Sequence, residues 1–360
     1  MRAVLAGGGS AGHVSPLLAL ADRLVADDPA TEIVALGTTT GLEARLVPAR
    51  GYPLHPIPKV PLPRRPSADL VRLPHNLRAA IGEARRAIED LNADVVVGFG
   101  GYVAAPAYLA ARQAKVPIVV HEQNSRPGFA NRLGARLTHS VAVTFPGTAL
   151  RHAVRTGMPL RAEIVGLDIT AARPGARERL GLDPARTTLL VFGGSLGAQR
   201  LNEVVPRVAD ALRERDVQVL HVSGAGKAVE VSSAPVGAPP YLVLDYVDQM
   251  ELAYAAADFV IGRAGANTVS ELTALGLPAA YVPLPIGNGE QRLNALPVVE
   301  AGGGLMVADD QLDKAWLLDN VLPLIGDAAA MGSMGAAARG FGMLDADRRL
   351  ADLVRRAINP

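Results

Sequence analysis

The sequence contains no cysteine, few aromatic residues and no long apolar run. Without cysteine, the 360 residues can form neither disulfide bonds nor thiolate metal sites, which fits a reducing compartment. Aromatic residues make up 4% of the chain, with Trp316 as the single tryptophan. No apolar run approaches the roughly 20 residues of a membrane-spanning helix, and the N-terminal run of about five residues is too short for a signal peptide. These absences favour a soluble or peripheral protein.

Neither sign of charge is in clear excess. The chain has 36 basic and 35 acidic residues, a net charge of +1, so it lacks the overall attraction to nucleic acid that a basic protein has. We therefore expect no nucleic-acid partner. Apolar residues make up 49% and charged residues 20%, which is typical of a folded globular protein. The length exceeds that of one ordinary core, which favours two domains.

Short apolar runs alternate with helical patterns along the chain. Most of these runs are continuous, which is typical of parallel strands covered on both faces. Repeated strand–helix units predict an α/β fold with open, doubly wound parallel sheets. The predicted strands are 2–7, 32–37, 94–100, 117–123 and 139–145 in a first series, and 187–194, 217–224, 241–247, 258–265 and 278–285 in a second.

The two series begin alike, which predicts two similarly built domains. VLAGGGSAGH opens the first and LLVFGGSLGAQ the second, each as a strand, a Gly/Ser loop and a helix start. Gly157 and Pro159 interrupt the pattern between the series, so the link is expected near residues 155–164. A terminal helix often packs back on the first domain in folds of this kind. The expected parts are an N-terminal domain at 1–160, a C-terminal domain at 161–340 and a terminal helix at 341–360.

Residues 47–66 contain seven prolines and no regular period, which predicts a long loop. The helical pattern that follows mixes apolar and arginine side chains. Two interpretations stay open: a patch whose basic groups meet anionic lipid headgroups, or an ordinary surface helix with one apolar face. This segment, called the membrane patch below, comprises Leu70, Val71, Leu73 and Leu77 with Arg72 and Arg78.

The stretch LAGGGSAGHVSP, residues 5–16, fits the dinucleotide-binding pattern G-x-G-x-x-G. A dinucleotide site also needs an acidic residue at the end of the second strand, where this chain has Gly37 and Thr38. A nicotinamide cofactor is therefore disfavoured, although glycine N–H groups before a helix can still bind a phosphate or oxyanion. His13, at the helix entrance, is either a general base or a capping or buried structural histidine.

Two further loops follow predicted strands, where ligands collect in open parallel sheets. HEQNSRPG, residues 121–128, offers Glu122, Gln123 and Asn124 as hydrogen-bonding partners for sugar hydroxyls, or it is a polar loop anchored by its own turns. FGGSLGAQRLN, residues 192–202, combines glycines with a following helix N-terminus, which suits a diphosphate.

Two more polar loops occur in the second series. In IGRAGANTVSEL, Arg263 leaves a strand, and Glu271 lies one helical turn beyond Asn267. A carboxylate there can take both hydroxyls of a ribose, or it is simply an acid favoured by the helix dipole. In PLPIGNGEQRLNA, Asn288, Glu290 and Gln291 lead into a helix. Each signal is weak alone, but all five loops fall at predicted strand ends.

Six motifs, taken in order, resemble the MurG family of transferases: GGGSAGHVSP, HEQNSRPG, TGMPLR, FGGSLGAQRLN, RAGANTVSEL and EQRLNA. The resemblance extends from residue 3 to about residue 304. It implies a GT-B fold, in which two Rossmann-like, doubly wound parallel-sheet domains face a cleft. It also implies inverting transfer of GlcNAc from UDP-GlcNAc to the 4-hydroxyl of MurNAc in undecaprenyl-diphospho-MurNAc-pentapeptide, which converts lipid I to lipid II in peptidoglycan synthesis.

The resemblance also implies roles for particular residues, with His13 as the catalytic base. Ser195 would contact phosphate, Glu271 the ribose and the Val247 backbone the uracil. The residues implied to bind UDP-GlcNAc are Ser10, Ala11 and Gly12 in the first loop, Asn124 and Arg161 before or at the link, and Ser195, Val247, Arg263, Ala266, Asn267, Thr268, Glu271 and Gln291 in the C-terminal domain.

The partners implied by the resemblance are UDP-GlcNAc, lipid I, the anionic membrane surface on the cytoplasmic side, and cell-wall synthesis or division proteins. The one Asp-x-Asp sequence, at Asp345 and Asp347, lies in the terminal helical pattern, so neither an obligatory metal nor another cofactor is expected. Alternatives stay open: another GT-B UDP-sugar enzyme, a UDP-GlcNAc 2-epimerase, a nicotinamide-dependent oxidoreductase, or a sensing scaffold that binds sugar nucleotides without turnover.

Three positions depart from the common motifs of the family. Ala11 replaces a glycine, and a positive φ at that position would be disfavoured. Met158 replaces an asparagine and lacks its amide. The GNGEQ sequence replaces a more charged loop, although it keeps Gln291.

Overall fold

The computed structural model describes residues 1–60, 68–194 and 197–359, with the backbone alone for residues 68–73. The chain divides into two compact units. The first unit comprises Met1–Arg161 together with Leu344–Pro360, and the second comprises Ala162–Met343.

The first unit contains, among its described residues, a parallel sheet of seven strands in the order β3-β2-β1-β4-β5-β6-β7. The strands are β1 Arg2–Ala6, β2 Glu32–Gly37, β3 Leu54–Pro56, β4 Val95–Gly98, β5 Ile118–Glu122, β6 Ser140–Val143 and β7 Ala153–Arg155. The helices are α1 Ala11–Asp27, α2 Glu43–Ala49, α3 Ala68–Leu91, α4 Gly101–Ala114, α5 Phe129–Gly134 and the C-terminal helix Ala346–Ile358.

Continuous apolar strands arise here because the first sheet is covered on both faces. In β1, Ala3 and Leu5 face a core formed with α1 and the C-terminal helix. Val4 and Ala6 face the opposite core, formed with α3 and α4. All four side chains are fully buried, so each position along the strand contributes to hydrophobic stabilisation.

The C-terminal helix belongs to the first unit. Leu350, Ala351 and Val354 are fully buried in the core that also contains Leu17 of α1. Arg355 forms an ion pair with Asp27 at the end of α1, and the positive charge lies in the last turn of its own helix, where the helix dipole favours it. The helix therefore covers one face of the first sheet.

The second unit contains, within 162–194 and 197–343, a parallel sheet of six strands in the order β10-β9-β8-β11-β12-β13. The strands are β8 Thr187–Phe192, β9 Val217–Val222, β10 Tyr241–Leu244, β11 Phe259–Gly262, β12 Ala279–Tyr281 and β13 Gly304–Met306. The helices are α6 Ala162–Val165, α7 Ile169–Arg179, α8 Gln199–Val204, α9 Ala209–Arg213, α10 Met250–Ala256, α11 Ala266–Leu275, α12 Glu290–Glu300, α13 Lys314–Trp316, α14 Leu322–Ile325 and α15 Ala328–Arg339. Short 3-10 segments cover Val205–Val208 and Asp309–Gln311, and a π-helical segment covers Leu317–Val321.

All ten predicted strands form, and the predicted α/β fold with two doubly wound parallel sheets is confirmed. The sequence prediction missed three strands of three residues each: β3, β7 and β13. Each of them lies at the edge of its sheet. The long loop predicted at 47–66 was therefore wrong in part, because α2 extends to Ala49 and β3 pairs with β2, while residues 61–67 lie outside the described residues.

In the described part of the chain, no single helix is long and apolar enough to cross a membrane. One bent pair, Lys314–Ile325 and Ala328–Arg339, meets that criterion jointly with an angle of 94° between its helices.

Candidate active site

The first glycine loop connects β1 to α1 and is tightly packed. Gly9 has φ +87°, and Ser10, in extended conformation, precedes the helix. Gly101 packs directly against this loop with φ +75°, and a Cβ there would lie 2.4 Å from the Gly8 carbonyl oxygen. Only glycine fits such a position, because the space and the left-handed backbone both exclude a side chain.

Ala11 does not carry the strain that its departure from the family motif suggested. It is the first residue of α1, and it is not among the non-glycine residues with positive φ. The positive φ of this loop falls on Gly9 instead. An alanine at position 11 is therefore compatible with the loop, and Gly12 continues the same helix.

His13 lies in the first turn of α1 and is half-buried. Its Nδ1 is 2.9 Å from Ser10 Oγ. Its Nε2 faces Gly100, where a Cβ would approach to 3.2 Å, so the absence of a side chain leaves room beside that nitrogen. Burial lowers the pKa of His13, and the Gly8 backbone and the charge of Glu43 partly offset this effect. The imidazole is therefore mainly neutral near pH 7, as a general base requires.

A buried carboxylate, missed by the sequence analysis, supports this loop. Glu43 begins α2 and is fully buried. Its Oε2 accepts the N–H of Gly9 at 2.9 Å, and its Oε1 accepts both the N–H and the hydroxyl of Thr38, at 2.9 and 2.7 Å. One N–H expected to be available for an oxyanion, that of Gly9, is therefore occupied within the protein.

A second buried carboxylate organises the HEQNSRPG loop. Glu122 accepts the N–H groups of Asn124 and Gly128 and the Nδ2 of Asn131, each at 2.9 Å. Burial nevertheless raises the pKa of Glu122, against the effect of these hydrogen bonds. Glu122 is 2% exposed and Gln123 is 1% exposed, with Gln123 Nε2 donating to a backbone carbonyl. For these two side chains the structure favours the other interpretation, a polar loop anchored by its own hydrogen bonds, whereas Asn124 is half-buried.

Further hydrogen bonds join this loop to its surroundings in the first unit. Tyr108 donates to Asn131 Oδ1 at 2.8 Å, and Asn131 Nδ2 also donates to the His121 carbonyl. His121 Nε2 is 2.9 Å from the Gly157 carbonyl oxygen, which joins HEQNSRPG to the TGMPLR segment. In that segment Met158 is buried and Arg161 is half-buried.

The second glycine loop follows β8. Ser195, the predicted phosphate contact, lies outside the described residues. Next to it, Gly197 has φ +64°, and a Cβ there would lie 2.1 Å from the Ser223 carbonyl oxygen. That oxygen also accepts the Nδ2 of Asn202, whose Oδ1 is 3.0 Å from His221 Nε2. The loop thus lies against β9 through a close backbone contact and a buried polar network.

Arg263 does not present a free charge. Its side chain is almost fully buried, and its Nη1 pairs with Asp309 and donates to the carbonyls of Val282 and Pro283. The charge of Arg263, a residue that the resemblance implies binds UDP-GlcNAc, is therefore already balanced by Asp309. The carbonyl contacts join the end of β11 to the loop after β12.

Glu271, in α11, receives a hydrogen bond from a residue that the sequence analysis did not select. The hydroxyl of Tyr254 donates to Glu271 Oε2 at 2.7 Å. Tyr254 is itself 1% exposed and packs edge-on against Phe192 of β8. A rigid aromatic ring thus fixes one oxygen of the carboxylate, which is half-buried.

The other residues that are predicted to bind UDP-GlcNAc lie at two helix starts and in one loop of the second unit. Ala266 begins α11 and is buried, whereas Asn267 and Thr268 are half-buried in its first turn. Gln291, in the first turn of α12, uses Oε1 to accept the Leu284 N–H at 3.0 Å, which leaves its Nε2 as the group that can donate to a sugar hydroxyl. Val247 is buried in the loop after β10.

The membrane patch lies on α3, and the side chains of Leu70, Val71, Arg72 and Leu73 lie outside the described residues. Of the other two, Leu77 is half-buried and Arg78 is exposed. The Asp-x-Asp pair is engaged in the first unit, where Asp345 pairs with Arg349 and Asp347 lies 3.9 Å from Arg23. Within the described residues, no three His, Asp or Glu side chains are grouped so that they could hold a metal.

Comparison with known proteins identifies the family. The glycosyltransferase family 28 N-terminal domain matches residues 3–143, and its C-terminal domain matches residues 188–350. The UDP-N-acetylglucosamine--N-acetylmuramyl-(pentapeptide) pyrophosphoryl-undecaprenol N-acetylglucosamine transferase of Streptomyces coelicolor is 55% identical, over 99% of this chain and 98% of its own. The crystal structure of Acinetobacter baumannii MurG has a TM-score of 0.75 and 28% identity over 99% of both chains.

The chain belongs to the MurG family. Its GT-B fold, predicted from the resemblance, is likewise confirmed. UDP-GlcNAc 2-epimerase from Neisseria meningitidis has a TM-score of 0.70 at 12% identity, a likeness that extends to the fold alone. The 55% identity over the whole chain therefore separates the family from the epimerase alternative.

Membership of the MurG family does not by itself identify the supporting residues of the site. Glu43, Tyr254 and Asp309 each contact a predicted loop or site residue, yet none lies in the motif it supports. A weak signal existed for Glu43, since an acid at a helix start after a strand is a common partner for backbone N–H groups. Neither Tyr254 nor Asp309 has a comparable signal in the sequence.

Proposed function

We propose that this chain transfers GlcNAc from UDP-GlcNAc to the 4-hydroxyl of MurNAc in lipid I, forming lipid II. The observation that carries the proposal is full-length similarity, at 55% identity, to enzymes named for this transfer. The loops that hold the predicted site residues support it, since all follow parallel strands at their carboxyl ends.

On the acceptor side, we assign proton removal to His13. The acceptor hydroxyl attacks the anomeric carbon from the face opposite UDP, the bond to the UDP oxygen breaks, and the proton passes to the imidazole. In the tautomer that we assign, Nδ1–H donates a hydrogen bond to Ser10 Oγ and Nε2 keeps the lone pair that this step needs. The lack of a side chain at Gly100 keeps that nitrogen accessible.

On the donor side, we assign nucleotide binding to the second unit. The N-terminus of α11, with Ala266, Asn267 and Thr268, carries partial positive charge and directs first-turn backbone N–H groups outward, which suits a diphosphate. Glu271 takes the ribose hydroxyls, with Tyr254 fixing its second oxygen. Because Arg263 is neutralised by Asp309, the backbone dipoles supply most of the stabilisation of departing UDP.

The proposed transfer is tested by incubating the protein with radiolabelled UDP-GlcNAc and a soluble lipid I analogue, with and without excess EDTA. We expect labelled disaccharide at equal rates, because neither acid of the Asp-x-Asp pair lies in the predicted site loops. Loss of product in EDTA would contradict metal independence, and absence of product in both samples would contradict the proposed function.

Replacing His13 with alanine should lower kcat by about 10²–10⁴ if His13 is the base. In the unchanged protein, the acid limb of kcat/KM should lie below pH 6.5, because burial lowers the His13 pKa from 6.5 and the base acts unprotonated. The exposed His75 provides the control variant His75→Ala, with wild-type rates expected. A loss below fivefold in His13→Ala would remove the assigned role.

Tyr254→Phe should raise KM for UDP-GlcNAc about three- to tenfold and change kcat less than twofold, because one hydrogen bond to Glu271 is lost. Tyr281→Phe is the matched control, since the buried Tyr281 hydroxyl has no hydrogen-bond partner among the described residues. Steady-state kinetics with both variants checks the assignment. An unchanged KM in Tyr254→Phe would argue against Glu271 as the ribose ligand.

We further propose that the chain is peripheral on the cytoplasmic face of the membrane, because its acceptor carries an undecaprenyl chain. The membrane patch supplies the apolar and basic groups for such a contact. Replacing Leu70, Leu73 and Leu77 with aspartate should abolish cosedimentation with anionic vesicles, with neutral vesicles as the comparison. Cosedimentation at the wild-type level would refute the proposal that this patch binds the membrane.

A further inference from the structure

The first glycine loop rests on a carboxylate that faces no cation. Glu43 is fully buried, and in the described part of the chain no lysine or arginine forms an ion pair with it. Its charge is stabilised instead by three neutral donors, from Gly9 and Thr38, and by its position at the start of α2. Burying a charge that has no ion-pair partner is costly, and the three hydrogen bonds together offset that cost.

The chain leaves room for this carboxylate at three glycines. A Cβ on Gly8 would lie 2.6 Å from Glu43 Oε1, one on Gly37 would lie 2.5 Å from its Cγ, and the space at Gly41 is filled by both carboxylate oxygens. The end of β2, the end of β1 and the start of α2 therefore meet around a single side chain. The carboxylate therefore lies in close contact with the turn that contains Gly8 and Gly9.

We propose that Glu43 is a positioning residue for transfer: by bridging Gly9 and Thr38, its carboxylate holds the turn from which Ser10 and His13 project. The proposal rests on the proposed function, because it concerns the geometry of the assigned base. Glu43 does not touch the reacting atoms. It holds Gly9 at φ +87°, and the following residue, Ser10, then lies at the N-cap of α1, where its carbonyl accepts the N–H of His13 and its hydroxyl contacts the imidazole.

Glutamine at position 43 provides a sharp test because it keeps the size and loses one acceptor. Oε1 accepts two hydrogen bonds and Oε2 accepts one, so an amide NH2 must face a donor on one side or the other. Thr38→Val is the matched control. It removes the hydroxyl that donates to this carboxylate and accepts the Gly41 N–H, and it keeps the contact of the carboxylate with Gly9.

The experiment compares wild type, Glu43→Gln and Thr38→Val by kinetics, thermal unfolding and amide hydrogen exchange of a peptide that spans residues 7–12. We expect kcat of Glu43→Gln to fall about 10- to 100-fold, because displacing a catalytic group by about 1 Å can lower the rate by about 100-fold. KM for UDP-GlcNAc should stay within about twofold, since the contacts assigned to its ribose and diphosphate, at Glu271 and the start of α11, lie in the second unit. Exchange at 7–12 should accelerate in Glu43→Gln alone, and kcat of Thr38→Val should stay within about threefold of wild type.

The outcomes separate this proposal from the proposed function. If Glu43→Gln keeps wild-type kcat, or if both variants lose kcat in parallel with thermal stability, the positioning role is overturned. If the wild type itself gives no transfer, the proposed function fails, and hydrogen exchange then tests whether Glu43 holds the turn. Faster exchange at residues 7–12 in Glu43→Gln would support that role, and unchanged exchange would overturn it.

A second variant covers the case in which Glu43→Gln does not fold. Gly8→Ala places its Cβ 2.6 Å from Glu43 Oε1 and must push the carboxylate away from the turn. We expect the same loss of kcat and the same faster exchange. Gly82→Ala is its control, because nothing lies within 4 Å of a Cβ at that helical position. Wild-type kcat in Gly8→Ala would overturn the proposal.

Discussion

The site of the first unit depends on buried carboxylates that accept backbone N–H groups at the ends of parallel strands. Glu43 holds the loop after β1, and Glu122 holds the loop after β5. The pKa of Glu43 is lowered by its hydrogen bonds, although burial opposes them, whereas burial prevails at Glu122 and raises its pKa. Loops rich in glycine have little packing of their own, so these acids supply the rigidity that a positioned base requires.

The loops of the second unit are also held rigidly, but by interactions other than carboxylates that accept backbone N–H groups. Its loops are fixed by the Tyr254–Glu271 hydrogen bond, the Arg263–Asp309 ion pair and the Asn202 contact with β9. In the function that we propose, the start of α11 meets the diphosphate, Glu271 the ribose and the amide of Gln291 the sugar. A nucleotide carries its own negative charge, so backbone dipoles and neutral donors suit it better than a buried acid beneath the loop.

The sequence predicted the sheets well because the central strands are mostly apolar: Ala3 to Ala6 of β1 face two cores and alternate between them. It missed the edge strands, since three residues such as Leu54–Pro56 give too little pattern to detect. The site loops were found from their glycines and polar residues. Their supports were not, because Glu43 is 34 residues from Gly9 and Asp309 is 46 from Arg263, so only the folded topology brings them together.

The positioning role of Glu43 is tested most directly by a crystal structure of Glu43→Gln compared with one of the wild type in the same crystal form. If the carboxylate determines the geometry of the turn that presents His13, we expect the Gly9–Ser10 turn to shift and the His13 ring to change its position relative to Gly100. β1 and the later turns of α1 should superimpose. A turn and imidazole that superimpose on the wild type, with the glutamine in place of the carboxylate, would contradict that role.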